Sequence, residues 1–159
     1  MKILVFSDSH SDVRKMKEAL NIHKNTCEAV IFLGDGLKDI RYLKPMYPEI
    51  AFFEVKGNCD FFEDADTENV VNLDGIRVLI AHGHTYGVKG GYGSIAIRAE
   101  KVGADAAFFG HTHRPTEEAY EINGKTIRLF NPGSIGKGGT YGVVNTSGKV
   151  LITGHGKIL

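Results

Sequence analysis

Residues 3–10 read ILVFSDSH, four apolar residues from Ile3 to Phe6 that run directly into Ser7, Asp8, Ser9 and His10. An unbroken apolar run of this length marks a strand covered on both faces, and the abrupt change to polar residues marks its carboxyl end. The arrangement recurs at 29–35, AVIFLGD, and at 51–60, AFFEVKGNCD, where the runs close on Gly34-Asp35 and on Gly57-Asn58-Cys59-Asp60. Helix-forming stretches lie between them. Val13, Met16 and Leu20 share one helical face behind Ser11 as a cap, and Leu37 to Leu43 supplies the second helix after a glycine-rich turn. The chain therefore opens as βαβαβ.

Beyond residue 65 the pattern changes. Apolar runs at 70–73, 76–81, 106–109, 126–130, 141–144 and 150–152 read as further strands. Asp74-Gly75, Asn123-Gly124 and Ser147-Gly148 each sit between two such runs as hairpin turns, so antiparallel pairing is expected to dominate there. One more helix fits Ser94 to Val102, with Ser94 as N-cap and Gly103 as the stop. A parallel start and an antiparallel finish predict an α/β (α+β) chain of two packed sheets with helices outside. No linker, repeat or low-complexity tract divides it, which predicts one domain over residues 1–159.

Composition narrows the function. In 159 residues, 19 Lys+Arg balance 19 Asp+Glu, which argues against nucleic-acid binding through a basic face. Ile3 to Phe6 is too short for a signal-peptide core, and no run approaches the roughly 18 apolar residues of a membrane span, so a cytoplasmic protein is expected. Two cysteines, Cys27 and Cys59, imply no disulfide framework. A chain of this size buries enough surface to fold without a structural metal, so any metal site would be functional.

Two later runs end as the first three do, on His82-Gly83-His84 and on Gly110-His111-Thr112-His113. Ligands of open α/β sheets bind outside the carboxyl ends of the strands, where Asp8, His10, Asp35, Asn58, His82, His111 and His113 would converge. Seven such donors exceed one tetrahedral zinc and carry too little carboxylate for calcium. Two transition-type cations fit better, held about 3.5 to 4 Å apart by a shared carboxylate. Asp35, between Gly34 and Gly36, is the candidate bridge. Two divalent ions, less two aspartates and one hydroxide, leave a local charge of about +1, which attracts an anion such as a phosphoester. Taken singly, each donor has a plainer reading as a helix cap, a turn residue or a hydrogen-bonded histidine.

Together, Asp8-x-His10, Gly34-Asp35, Gly57-Asn58, His82-Gly83-His84 and Gly110-His111-Thr112-His113 resemble the ordered motif set of the calcineurin-like metallophosphoesterase superfamily. Gly57-Asn58-Cys59-Asp60, Asn131-Pro132-Gly133-Ser134 and the short length resemble its small bacterial and archaeal phosphodiesterases. The resemblance implies a two-sheet sandwich in four α/β/β/α layers. It implies that Asp8, His10, Asp35 and His113 hold one divalent ion and Asp35, Asn58, His82 and His111 the other, with manganese foremost and nickel, iron, cobalt or zinc as alternatives. The expected activity is hydrolysis of a small-molecule phosphodiester by in-line attack of a metal-bridging hydroxide. Many members carry histidine after the motif asparagine as proton donor. Here Cys59 stands in that place, leaving Cys59 and His84 as candidate catalytic acids.

Two other functions remain: a phosphomonoesterase or protein phosphatase, and a protein-binding scaffold of the kind the superfamily's retromer subunit illustrates. That relative departs from the ligand set, whereas here every position is filled. Near-zero net charge permits a homo-oligomer. Gly91-Tyr92-Gly93-Ser94-Ile95-Ala96 matches a dinucleotide fingerprint formally but follows a loop, and Gly136-Lys137-Gly138-Gly139 lacks the P-loop spacing. His23 and His155 are expected in solvent, and Cys27 in the core. Phe61, Phe62, Tyr86, Tyr92 and Tyr141 are candidate pocket walls.

Overall fold

A computed structural model describes residues 1–159. The elements run in the order β1 (Lys2–Phe6), α1 (Val13–His23), β2 (Ala29–Phe32), α2 (Leu37–Leu43), β3 (Ala51–Glu54), β4 (Glu68–Leu73), β5 (Ile76–Ala81), α3 (Gly93–Lys101), β6 (Ala106–Phe109), β7 (Thr116–Ile122), β8 (Lys125–Asn131), β9 (Thr140–Ser147) and β10 (Val150–Lys157). Short 3-10 turns occupy Lys44–Met46 and His84–Tyr86. The strands form two five-stranded sheets, in the orders β10-β9-β1-β2-β3 and β4-β5-β6-β8-β7.

The continuous apolar runs of β1 and β2 reflect burial on both sides. Ile3, Val5, Ala29 and Ile31 face the second sheet and meet Val78, Ile80, Ala106 and Phe108 in the central core. Their alternates Leu4, Phe6, Val30 and Phe32 face outward and are covered by Met16, Ala19 and Leu20 of α1 and Leu37, Ile40 and Leu43 of α2. The outer face of the second sheet packs Leu79, Ala107, Phe109 and Ile127 against Ile95, Ala96 and Ala99 of α3. The four expected layers, α/β/β/α, are present. No helix is long and apolar enough to cross a membrane.

Several local expectations need correction. Antiparallel pairing dominates the second half as expected, in β4–β5, β7–β8, β9–β10 and β1–β9, but β5, β6 and β8 run parallel, with α3 as the crossover from β5 to β6 and the β7–β8 hairpin returning the chain. Strand β7 is absent from the apolar runs because Glu117, Glu118 and Glu121 point to solvent on a sheet edge, where charged residues discourage pairing with another chain. Asp12, not Ser11, caps α1, accepting the Arg14 N–H at 3.1 Å. Ser11 instead has φ 72° and gives its N–H to Asp39. Helix α3 begins at Gly93 with no side-chain cap, and Ser94 lies inside it. The last hairpin turns at Gly148-Lys149, since Ser147 pairs with Val150. His23 contacts the Tyr141 hydroxyl, and His155 stacks on Phe130 with Nε2 at 2.8 Å from the Asn131 carbonyl, so neither ring is merely solvated.

Parallel pairing of β1, β2 and β3 in one sheet, and of β5 and β6 in the other, brings five strand ends to one edge of the sandwich. Backbone bonds lock them together. The Asp8 N–H donates to the Gly34 carbonyl, His10 N–H to Asp35, and Gly110 N–H to His82. Cys27 lies in the core beneath α1, far in sequence from the exposed Cys59.

Candidate metal centre

Asp8 and His10 follow β1, Asp35 follows β2, Asn58 and Cys59 follow β3, His82 follows β5, and His111 and His113 follow β6. These positions bring six of the seven candidate donors into one cluster. The side-chain ligand atoms of Asp8, His10 and His113 lie within 4.8 Å of one another, and so do those of Asp35, His82 and His111. Two oxygens sit between the groups. Asp35 Oδ2 is 3.3 Å from His82 Nε2 and 3.8 Å from His10 Nε2. Asp8 Oδ1 is 3.2 Å from His113, 3.7 Å from His10 and 3.8 Å from His82. Asn58, on the loop after β3, is exposed, and its amide donates to Cys59 Sγ at 3.6 Å.

The local backbone is bent to achieve this. Asp8, His10, Asp35, His111 and His113 all have positive φ, between 44° and 69°. Side chains rarely adopt that region, and such strain collects where surrounding structure over-determines it. Glycine is required beside it. A Cβ on Gly57 would strike the Asp35 carboxylate, and one on Gly110 would strike the Ser7 hydroxyl.

Supporting hydrogen bonds decide which atoms remain free. The Ser7 hydroxyl and the His111 N–H both donate to Asp8 Oδ2, at 2.6 and 3.0 Å. Asp8 Oδ1 is left buried with no hydrogen-bond partner. Such an atom is costly in a folded protein unless a cation or proton completes it. The His82 ring is fully buried, and its Nδ1 lies 2.7 Å from the Leu33 carbonyl, which selects the Nδ1–H tautomer and turns Nε2 toward the carboxylates. Paired buried acids, imidazole nitrogens and an orphaned carboxylate oxygen fit a divalent cation of borderline softness.

Charge within the cluster is uneven. Burial alone would push the Asp35 carboxyl up, but the hydrogen bond and charge of His82 and the Cys59 N–H hold it well below the usual carboxylate range. Burial opposes the charge on His82, and Asp35 and Asp8 outweigh it and raise the imidazole. His111 and His84 are lowered, first by burial and then by the charge of His82. The Cys59 thiol is pushed up by burial and by Asp35. His84 stands beside the cluster, its ring centre 5.5 Å from that of His82 and 6.2 Å from that of His111.

Several residues that organise the site escape motif reading because they carry no ligand chemistry of their own. Asp60 is the main one. Its carboxylate accepts four backbone N–H groups, from Asp35, Gly36, Leu37 and Gly57, at 2.8 to 3.0 Å. The Asn131 amide donates to the Gly110 carbonyl and to Thr112 Oγ1, and the Ser134 hydroxyl donates to the Asp8 carbonyl. The sequence signal for them is the Asn131-Pro132-Gly133-Ser134 stretch and the Asp that closes Gly57-Asn58-Cys59-Asp60. Cys59 Sγ also lies within 4.8 Å of the ligand atoms of His10 and Asp35.

The model of the calcineurin-like phosphoesterase superfamily domain matches residues 1–149. The chain is 34% identical over 137 residues to the probable metallophosphoesterase YsnB of Bacillus subtilis (strain 168), covering 85% of this chain and 75% of that protein. A predicted phosphoesterase from Streptococcus pneumoniae TIGR4 superposes with a TM-score of 0.78 at 25% identity, over 98% of this chain and 88% of the other. Vps29 from Entamoeba histolytica, crystallised with Zn2+, gives a TM-score of 0.75 at 18% identity, over 99% of each chain. An archaeal phosphodiesterase gives 0.70 at 22% identity, over 98% of this chain and 99% of the other.

Proposed function

The chain belongs to the calcineurin-like phosphoesterase superfamily, a metal-dependent family, and from that premise we propose that it is a phosphodiesterase working through two divalent ions. The observation that carries this reading is the placement of Asp35 Oδ2 and Asp8 Oδ1 between two histidine-bearing groups. Asp8, His10, Asp35 and His113 would hold one ion, and Asp35, Asn58, His82 and His111 the other. Manganese is the first choice, with nickel, iron, cobalt or zinc admitted by the same donors. When bound, the ions would supply Lewis-acid polarisation of a phosphoryl oxygen and a water made nucleophilic near neutral pH.

The chain's own contribution is positioning. Ser7 and the His111 N–H orient Asp8, Leu33 fixes the His82 tautomer, and Cys59 N–H with His82 keeps Asp35 ionised. Preorganised charge of this kind needs no rearrangement when negative charge develops on the substrate. Cys59 and His84 are the candidate proton donors to the leaving oxygen. Of the two, the raised thiol holds its proton at neutral pH, whereas the lowered imidazole is neutral. The fold shared with an archaeal phosphodiesterase supports the diester over the monoester.

Hydrolysis of bis(p-nitrophenyl) phosphate and of p-nitrophenyl phosphate, with manganese, nickel, iron, cobalt or zinc and after chelation, tests this. Metal-dependent turnover that favours the diester is expected. No turnover with any of the five ions would remove the proposal. The Vps29 fold keeps a binding module as the second reading, and Asp35→Ala separates them. A catalytic bridge predicts a loss of about 10³-fold or more, the worth of several kcal/mol of charge stabilisation. A scaffold would lose nothing it does.

A further inference from the structure

Three of the five aromatic residues that the sequence offers as pocket walls are already engaged. The Tyr86 hydroxyl donates to Glu68 at 2.7 Å, the Tyr92 ring packs on Phe109 at 5.0 Å, and Tyr141 is buried in β9 rather than placed in a loop. Phe61 and Phe62 are 78% and 92% exposed. They do not owe that exposure to a slack backbone. On one side Asp60 is fixed by its four N–H donors. On the other, the Arg41 guanidinium holds the Glu63 carboxylate at 2.9 Å and the Asp64 carbonyl at 2.8 Å. Two phenyl rings are thus presented to solvent from an anchored segment.

They line, together with His10, Asp35 and Cys59, a cavity of about 200 Å³. A cavity of about 150 Å³ is enough to take a benzene ring. The acidic groups around it are spent, Asp60 on backbone N–H groups, Glu63 on Arg41, and Asp39 on the Ser9 hydroxyl and the Ser11 N–H. What remains uncommitted next to the donors is a pair of aromatic faces, and beside them stands the exposed Lys38, its ammonium 4.0 Å from Glu63 and open to a further anion. Planar rings stack on such faces, and a lysine suits an anionic ligand.

We infer that Phe61 and Phe62 form the subsite for a planar aromatic substituent of the phosphoester, whether the ring of an aryl ester or the base of a nucleotide. This rests on the reading of the adjoining centre as a phosphoester site and goes further by assigning the class of group it accepts. The substituent stacks on the phenyl faces while its phosphoryl group lies toward His10 and Asp35.

Phenylphosphonate and methylphosphonate carry the same acidic head and differ by the ring, and adenosine 5′-monophosphate carries a base. Each is titrated into the manganese-loaded protein and into the Phe61→Ala/Phe62→Ala double variant. The native protein is expected to bind at least one ring-bearing ligand about tenfold tighter than methylphosphonate. The double variant loses that margin, while its affinity for methylphosphonate stays within about twofold and shows that the centre is intact. Whichever ring-bearing ligand shows the larger margin identifies the source, aryl ester or nucleotide. Equal binding of all three ligands by the native protein, or a margin that survives in the variant, overturns the subsite and leaves the phosphoester reading in place. Failure of all three to bind overturns both.

Discussion

At Asp8, His10, Asp35, His111 and His113 the chain accepts left-handed backbone with a full side chain attached. The crowding of Cβ against the carbonyl costs roughly 1–2 kcal/mol per residue. His113, with φ 62°, offers a direct measure of it. Both His113→Ala and His113→Gly remove the imidazole, but only glycine relieves the backbone. In metal-free protein the glycine variant should be about 1 kcal/mol the more stable in urea denaturation, despite its greater unfolded-state entropy. Equal or reversed stabilities would show that the fold imposes no strain there. Asp60 acts through the backbone in the opposite sense. Asp60→Ala strands four N–H groups in two loops that bear candidate ligands, which should cost about 3–5 kcal/mol and weaken manganese binding about 10- to 100-fold. Calorimetric titration and denaturation read the two effects separately, and an unchanged metal affinity would reduce Asp60 to a general stabiliser. Cys59 should matter less. A p-nitrophenolate leaving group needs no proton, so Cys59→Ala should keep kcat/KM on bis(p-nitrophenyl) phosphate within about tenfold at equal metal content. A fall of more than about 10²-fold on this substrate would show that the thiol does more than protonate a leaving group.

Single elements are joined to the site's surroundings by groups that titrate far from neutrality. Tyr86, in the turn after β5, donates to Glu68 at the start of β4, and Glu68 also pairs with Arg98 of α3 at 3.0 Å. Burial and then Glu68 push the Tyr86 hydroxyl up to about 12, with Arg98 opposing. Because the folded value lies above the unfolded value of 10.0, the folded protein holds this proton longer. The associated stability is complete below pH 10 and fades as pH rises toward 12. Tyr86→Phe should therefore flatten the fall in denaturation midpoint between pH 10 and 12, and absorbance titration should lose one late tyrosine. Elements also show where sequence reading succeeds and where it stops. Strands β1, β2 and β6, and β5 from Val78 onward, are legible because burial on both faces leaves an uninterrupted apolar run. Strand β7 is not, since an edge strand in water keeps its glutamates. The parallel pairing of β6 with β8 is also hidden, because nothing in a hairpin's own residues says which neighbour it joins. The site divides in the same way. The donors are readable because oxygen and imidazole groups sit at fixed strand ends, whereas Asp60, Asn131 and Ser134 act by hydrogen bonds to loops distant in sequence.

For the whole molecule, the decisive fact is that the candidate donors come from both sheets. Asp8, His10 and Asp35 leave the first sheet, and His82, His111 and His113 leave the second. Within the protein the two sheets meet through an apolar core, which is non-directional, through hydrogen bonds of β10 with β7 and β8, and at this edge through the contacts of His82 with Leu33 and of His111 with Asp8. Cations shared between the two groups would tie the sheets with directed bonds and satisfy the orphaned Asp8 Oδ1. A ligand that binds only the folded state stabilises it by mass action, about 2.7 kcal/mol when present at 100 times its Kd. For a chain of 159 residues, each kcal/mol moves Tm by roughly 2–4 °C. Manganese at that excess should therefore raise Tm by about 5–10 °C, and chelation should reverse it. Asp35→Ala should abolish most of the rise, because the shared oxygen is gone from both groups. The Phe61→Ala/Phe62→Ala variant should keep all of it, since neither ring touches the donors' hydrogen bonds. No rise in any of the three proteins would remove the metal centre from which the phosphoesterase reading proceeds, before any substrate is chosen.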